Sequence, residues 1–248
     1  NKKSGAGSIM SDGISGTGSL TKEGLGGLYL RGNRTYTGNT FINNGYVETD
    51  RSNSLGNNSA VTISSLGTLR LLNNLAIGSL AGDGTVNLSE SGSNSLTTGG
   101  NNTSTIFSGV VSGAGGNLIK TGTGTLTLTG ANTYSGGTTV NGGTLQGTTT
   151  SLQGNITNNA NVTFDQSTSG TYAGVISGTG GLTKTNTGTV TLSGANTYTG
   201  ATTISAGTLQ ASNTSALGSN NAVTVGGGSL DLTTDLSIGS LAGAGNVT

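Results

Sequence analysis

Glu48 and Asp50 stand two positions apart beside Arg51, the one place where this sequence sets two carboxylates against a guanidinium. Residues two apart on an extended strand share a face. The pair therefore has the raw elements of glycoside hydrolysis, in which one carboxyl acts as acid and a second as base or nucleophile. Solvated strand edges present the same pattern, and Asp231 with Asp235 reads the same way. The glycine-rich run Gly178-Thr179-Gly180-Gly181-Leu182-Thr183-Lys184-Thr185 invites comparison with a phosphate loop. It lacks the four-residue gap and the Gly-Lys step, and no helical pattern follows it. Ala81-Gly82-Asp83-Gly84 has the look of a calcium repeat, but its counterpart Ala242-Gly243-Ala244-Gly245 has lost the acid. Tyr36, Tyr134 and Tyr198 recur at one site of a repeated unit. They suit a sugar platform, or, better, a packing role in which the ring is buried and the hydroxyl bonds a neighbouring coil. With no His and no Cys, the commonest general base, the thiol nucleophile and the tight transition-metal ligands are missing. The sequence nominates no catalytic, cofactor-binding or metal residue, and the expectation is a protein that is not an enzyme.

The elements that carry these side chains must be unusual. Only 30% of the 248 residues are hydrophobic, 4% aromatic and 7% charged, while glycine fills 48 positions and proline none. About a quarter of an ordinary soluble domain is charged. Such a chain has no material for one large core and needs a thin one, to which each short segment adds one or two aliphatic side chains. Disordered chains combine low hydrophobicity with net charge and proline; here nine basic and nine acidic residues cancel. That balance leaves no footprint for nucleic acid or an anionic membrane. Asn1-Lys2-Lys3 is the densest positive spot, and no run approaches the length of an apolar membrane span.

Self-similarity organises the rest. A block running from Lys120 to Gln146 returns from Lys184 to Gln210 and, more diverged, from Lys22. Lys22 to Lys120 and Tyr36 to Tyr134 are both 98 positions; Lys120 to Lys184 and Tyr134 to Tyr198 are both 64. Lead-ins of the type Gly174-Val175-Ile176-Ser177-Gly178 precede the copies, so the units span approximately 13–47, 109–146 and 174–210. Related blocks fill 54–86 and 216–247, where Ser54–Ile63 matches Ala216–Val225 and Leu75–Gly82 matches Leu236–Gly243. The pattern stops at Thr248 where the earlier copy continues, which is expected of a fragment of a longer chain.

Within a unit, apolar residues alternate with threonine. Leu126 and Leu128 point one way in Thr125–Thr129, as do Val190 and Leu192 in the next copy, which is the period of a half-buried strand. Gly, Asn, Ser and Thr clusters separate these segments as turns. A sandwich would not need repeats so alike, and no Asn-Gly hairpin falls regularly between strands. Stacked coils profit from likeness, because each coil sets Leu over Leu and covers its neighbour's strand edges. Asn132 and Asn196 then support turns or stack as amide ladders. The expected fold is an all-β parallel β-helix, a single solenoid segment over 1–248 of about ten coils at roughly 20–25 residues each.

The block from Gly124 to Gln146, with the lead-in from Thr171 to Lys184, resembles the passenger-associated transport repeat of bacterial autotransporters. The resemblance implies a right-handed β-helix, exported and attached to the bacterial outer membrane through a C-terminal barrel not contained in this chain. It implies a stalk or adhesin at the cell surface whose coils fold one upon another as they emerge. Its partner would be a receptor on a host or neighbouring cell, or the chain itself. The first copy departs where Arg31, Arg34, Asn39 and Phe41 replace small or Thr residues. Two alternatives keep the fold: a self-associating filament, sheath or biofilm-matrix protein, and, less favoured, a carbohydrate-active β-helix enzyme.

Overall fold

A computed structural model describes residues 8–10, 13–56, 58–90 and 92–248; Asn1-Lys2-Lys3 and Asn57 of the duplicated block lie outside them. Among the described residues there are strands and turns and no helix. The chain resolves into two compact units, Asn1–Gly137 and Thr138–Thr248.

Both units are parallel β-solenoids. In the first, one column stacks six strands: Leu20–Lys22, Thr40–Thr49, Ala60–Leu71, Ser79–Gly82, Thr105–Phe107 and Thr125–Leu128. In the second, the column runs through Thr144–Gly147, Asn161–Asp165, Gly181–Thr185, Thr202–Ile204, Ala222–Val225 and Ser240–Ala242. Partners lie one coil apart in sequence, from Leu145 on Val162 at the short end to Val86 on Val111 at the long end. Parallel pairing between successive short strands requires a return path, and here that path is the remainder of the coil.

Alternation decides which side chains enter. The burial pattern of Thr125–Leu128 is intermediate, buried, intermediate, buried, and Thr189–Leu192 repeats it. Leu126, Leu128, Val190 and Leu192 all lie inside at 2% exposure or less. Stacking aligns the inward residues in columns such as Val190, Leu209 and Leu230. Each fully buried aliphatic residue contributes about 1.5–3 kcal/mol, so a coil that adds three or four of them offsets much of its own ordering cost. Threonine takes the outward positions. Thr163, Thr183, Thr203 and Thr224 form one outer row, four coils long. β-Branched side chains suit that pleated surface.

Candidate functional site: a lysine-clamped corner

The inward columns contain one residue type that does not belong in an apolar core. Lys184 pairs in register with Phe164 on one side and Ile204 on the other, and Ile204 with Val225. Lys22 precedes Ile42 and Ile63 in the same way. Lys22, Lys120 and Lys184 are 8%, 1% and 0% exposed. Their aliphatic stems complete the column, while the ammonium groups reach the corner where the coil turns.

There the backbone receives them. Lys184 Nζ donates to the carbonyls of Thr185 (2.6 Å), Asn186 (2.7 Å) and Ala206 (3.3 Å). Lys22 Nζ donates to Glu23 (2.9 Å), Gly24 (2.5 Å) and Asn44 (2.9 Å). Lys120 Nζ reaches Thr121 (2.6 Å) and Gly122 (3.3 Å). Two bonds thus close the lysine's own corner, and in Lys22 and Lys184 a third crosses to the coil 22 residues on. Burial lowers the pKa of all three lysines, opposed at Lys22 by Glu23 and at Lys184 by Asp165. The ammonium is compensated by oriented carbonyl dipoles in place of a contacting carboxylate.

The corner can offer its carbonyls because its backbone is left-handed. Gly24, Gly122 and Asn186 occupy the equivalent position with φ of 74°, 66° and 63°. On the next coil Gly207 is also left-handed, φ 66°, and seats directly over this turn. A Cβ there would lie 2.4 Å from Asn186 O, 2.5 Å from Gly188 O and 2.8 Å from Lys184 Nζ. Glycine is needed on both counts.

A second recurring device lies twelve residues beyond the lysine. Asn196 Oδ1 accepts the Ile176 N–H at 2.7 Å, and its Nδ2 donates to Ala216 O at 2.6 Å. One buried carboxamide thus bridges the coil before and the coil after, standing in for a missing ladder bond. Asn132 Oδ1 accepts the Val111 N–H at the same 2.7 Å. These asparagines therefore do not stack side chain on side chain; they bond backbone on adjacent coils. In the first copy Arg34 occupies this position, fully buried, with Nη1 donating to Asn33 O at 3.2 Å. A guanidinium cannot accept, so this copy has no counterpart to the amide-to-carboxamide bond.

The tyrosines are interior. Tyr36, Tyr134 and Tyr198 are 0%, 1% and 0% exposed, which leaves no ring face for a sugar. Tyr198 bonds Thr202 Oγ1 at 2.7 Å and Tyr36 bonds Thr40 Oγ1 at 2.5 Å, each four residues on within the same coil. Each hydroxyl also reaches the next coil, Tyr36 to Ser59, which Thr40 Oγ1 contacts at 3.0 Å as well, and Tyr198 to Asn221. Burial raises the pKa of Tyr36 and Tyr198.

The acids are engaged in packing. Glu48 accepts from Arg31 Nη2 at 2.9 Å, and Asp50 Oδ1 accepts the Gly32 N–H at 3.1 Å. Arg70 reaches Glu90 at 3.2 Å and lies 4.0 Å over the ring of Tyr46, whose hydroxyl meets that of Tyr29. Asp231 accepts from Gln210 Nε2 at 2.6 Å, as Asp165 does from Gln146 at 2.9 Å. Asp235 is exposed. Lys184, the cation of the phosphate-loop-like run, points at backbone carbonyls. No group of three or more His, Cys, Asp or Glu residues able to hold a metal occurs among the described residues.

The alternation already places the lysines: in Leu20-Thr21-Lys22, Leu118-Ile119-Lys120 and Leu182-Thr183-Lys184 the lysine is in phase with the inward leucine. A family model, the passenger-associated-transport-repeat, matches three times, at residues 20–48, 118–146 and 182–211. Each match opens on the leucine of that leucine-x-lysine step, two residues before the lysine, and includes the tyrosine and the left-handed turns. No curated protein and no solved structure matches the chain.

Proposed function

Because three passenger-associated-transport repeats are written into this chain, we propose that it is a structural stalk or adhesin segment of a secreted bacterial autotransporter passenger. It extends from the cell surface and assists its own export by adding folded coils in sequence. The observation that carries this reading is the lysine clamp. Two of the three bonds made by Lys184 lie in its own corner and one reaches Ala206 on the following coil. Each coil therefore presents a partly formed site that the adjoining coil completes. A solenoid stabilised by such neighbour-to-neighbour terms can grow from an existing end without distant contacts. Growth on the outer side of a membrane would then bias movement outward, since a folded coil cannot slip back through a narrow pore. No step of this requires a catalytic residue.

The test is surface delivery. The chain fused to a transport-competent outer-membrane barrel is expected to reach the surface less completely when Lys22, Lys120 and Lys184 are all replaced by Met. Protection from an externally added protease reports the folded surface fraction. Delivery unchanged in a triple variant that is demonstrably less stable would refute the coupling of coil closure to export.

A further inference from the structure

One corner differs chemically from its own duplicates. The turn after the repeat is built alike three times. Ser54 N bonds Arg51 O at 3.3 Å, Ser151 N bonds Thr148 O at 3.2 Å, and Ala216 N bonds Asn213 O at 2.9 Å. Packing has the same demands in each copy, so what distinguishes the first copy is not dictated by the turn. Where the others carry Thr148 and Asn213, the first carries Arg51, and beside it Asp50 stands where the third has Ser212. The same corner opens into a notch of about 520 Å³ lined by Asp50, Arg51, Ser52, Asn73 and Asn74. That volume lies within the ~300–1,000 Å³ of small-molecule sites.

The polar groups in the notch are unevenly committed. Asp50 Oδ1 takes the Gly32 N–H, and its other oxygen lies 4.0 Å from Arg31. Asn73 Nδ2 donates to Asp50 O, leaving its Oδ1 open, and Asn74 Oδ1 accepts Ser95 N–H, leaving its Nδ2 open. Arg31 and Arg70 are paired with Glu48 and Glu90. The Arg51 guanidinium, by contrast, is exposed and makes no hydrogen bond or ion pair among the described residues. A fork of donors without a partner matches a carboxylate bidentately. Around it stand the Ser52 hydroxyl and two carboxamides, one with a free acceptor and one with a free donor, as adjacent ring hydroxyls require.

We propose that this notch binds an acidic saccharide, a sugar bearing a carboxylate and vicinal hydroxyls. The carboxylate sits on Arg51, and Ser52, Asn73 and Asn74 read the hydroxyls. The site is independent of the stalk reading, since the isolated chain would bind whether or not its coils assist export.

Three oligosaccharides test it by titration into the isotopically labelled chain: tetragalacturonate, sialyllactose and the neutral maltotetraose. Either acidic sugar is expected to shift the Asn73 and Asn74 side-chain amide signals saturably, and the two separate a uronic from a sialic source. Arg51→Asn imports the third copy's own residue, so the folded solenoid should survive, as thermal unfolding can verify. It is expected to weaken binding at least tenfold, and added salt should weaken wild-type binding. The proposal is overturned if neither acid sugar gives a saturable shift below about 10 mM. It is overturned equally if maltotetraose binds as well, or if a folded Arg51→Asn binds like the wild type.

Discussion

Replacing Lys184 by Met isolates the clamp. Methionine keeps an unbranched stem between Phe164 and Ile204 and removes the ammonium. Three carbonyls, of Thr185, Asn186 and Ala206, lose the ammonium as donor, and that of Thr185 keeps the long bond from Gln166 N–H at 3.5 Å. A buried acceptor left unsatisfied costs about 1–3 kcal/mol. Removing a desolvated charge offsets part of that total, so a net loss of about 3 kcal/mol is expected. Because coils couple to their neighbours, the loss should concentrate near the clamp. The assay is native-state hydrogen exchange at Leu182 and Ser205, whose amides bond Ala201 O and Lys184 O at 2.9 Å. Both should exchange about 100-fold faster, at ~1.4 kcal/mol per tenfold. The pH dependence carries a separate signature. Burial lowers the Lys184 pKa from 10.5 in the folded chain, so between that lowered value and 10.5 the unfolded state holds more protons. Stability therefore rises with pH through this window, and Lys184→Met should lose its share of the rise. Tyr198 works oppositely. Burial raises its pKa above the ordinary 10.0, the folded state keeps a proton the unfolded state gives up, and stability falls above about pH 10. Wild-type exchange rates at Leu182 and Ser205 in the Met variant would refute the clamp.

Three further outcomes follow from the same geometry. Asn196→Asp keeps the acceptor for Ile176 but sets a carboxylate against Ala216 O, so the unfolding free energy from urea titration should fall by about 2–3 kcal/mol at neutral pH and recover in part as pH falls towards about 4, where the protonated acid can donate. Gly207→Ala should lower the melting temperature by several degrees, since its φ of 66° and the 2.4 Å approach to Asn186 O both resist a Cβ. With no proline in the sequence, refolding should show no phase accelerated by a prolyl isomerase.

The parallel solenoid was legible because two independent signals agree on it. Alternation in Thr125–Leu128 sets an inward face, and the fixed spacing of Lys, Tyr and Gly sets which faces stack. The lysines were legible only in part. A lysine beside glycines at a corner reads as solvated, and the phase that turns it inward matters only once the corner is known to expose carbonyls. Tyr36 shows another limit: its burial follows from recurrence, but its bonds to Thr40 and across to Ser59 depend on a register that separate segments define only when stacked. Asn196 bridges two coils because ladder bonds run out at that bend, and no local pattern announces such a gap. The notch at Arg51 was visible as an odd cluster of charge, though its committed and uncommitted members separate only in three dimensions.

Burying the lysines has an effect on digestion. Beyond Arg70 the only basic residues are Lys120 and Lys184, 1% and 0% exposed. Enzymes that cut after Lys or Arg must draw an extended stretch of backbone into their cleft, and both candidates are held by their own ammonium groups inside the wall of a coil. From residue 71 to 248 the folded chain offers such enzymes no purchase unless an entire turn comes apart. The group that fastens the corner also hides the bond most vulnerable to attack.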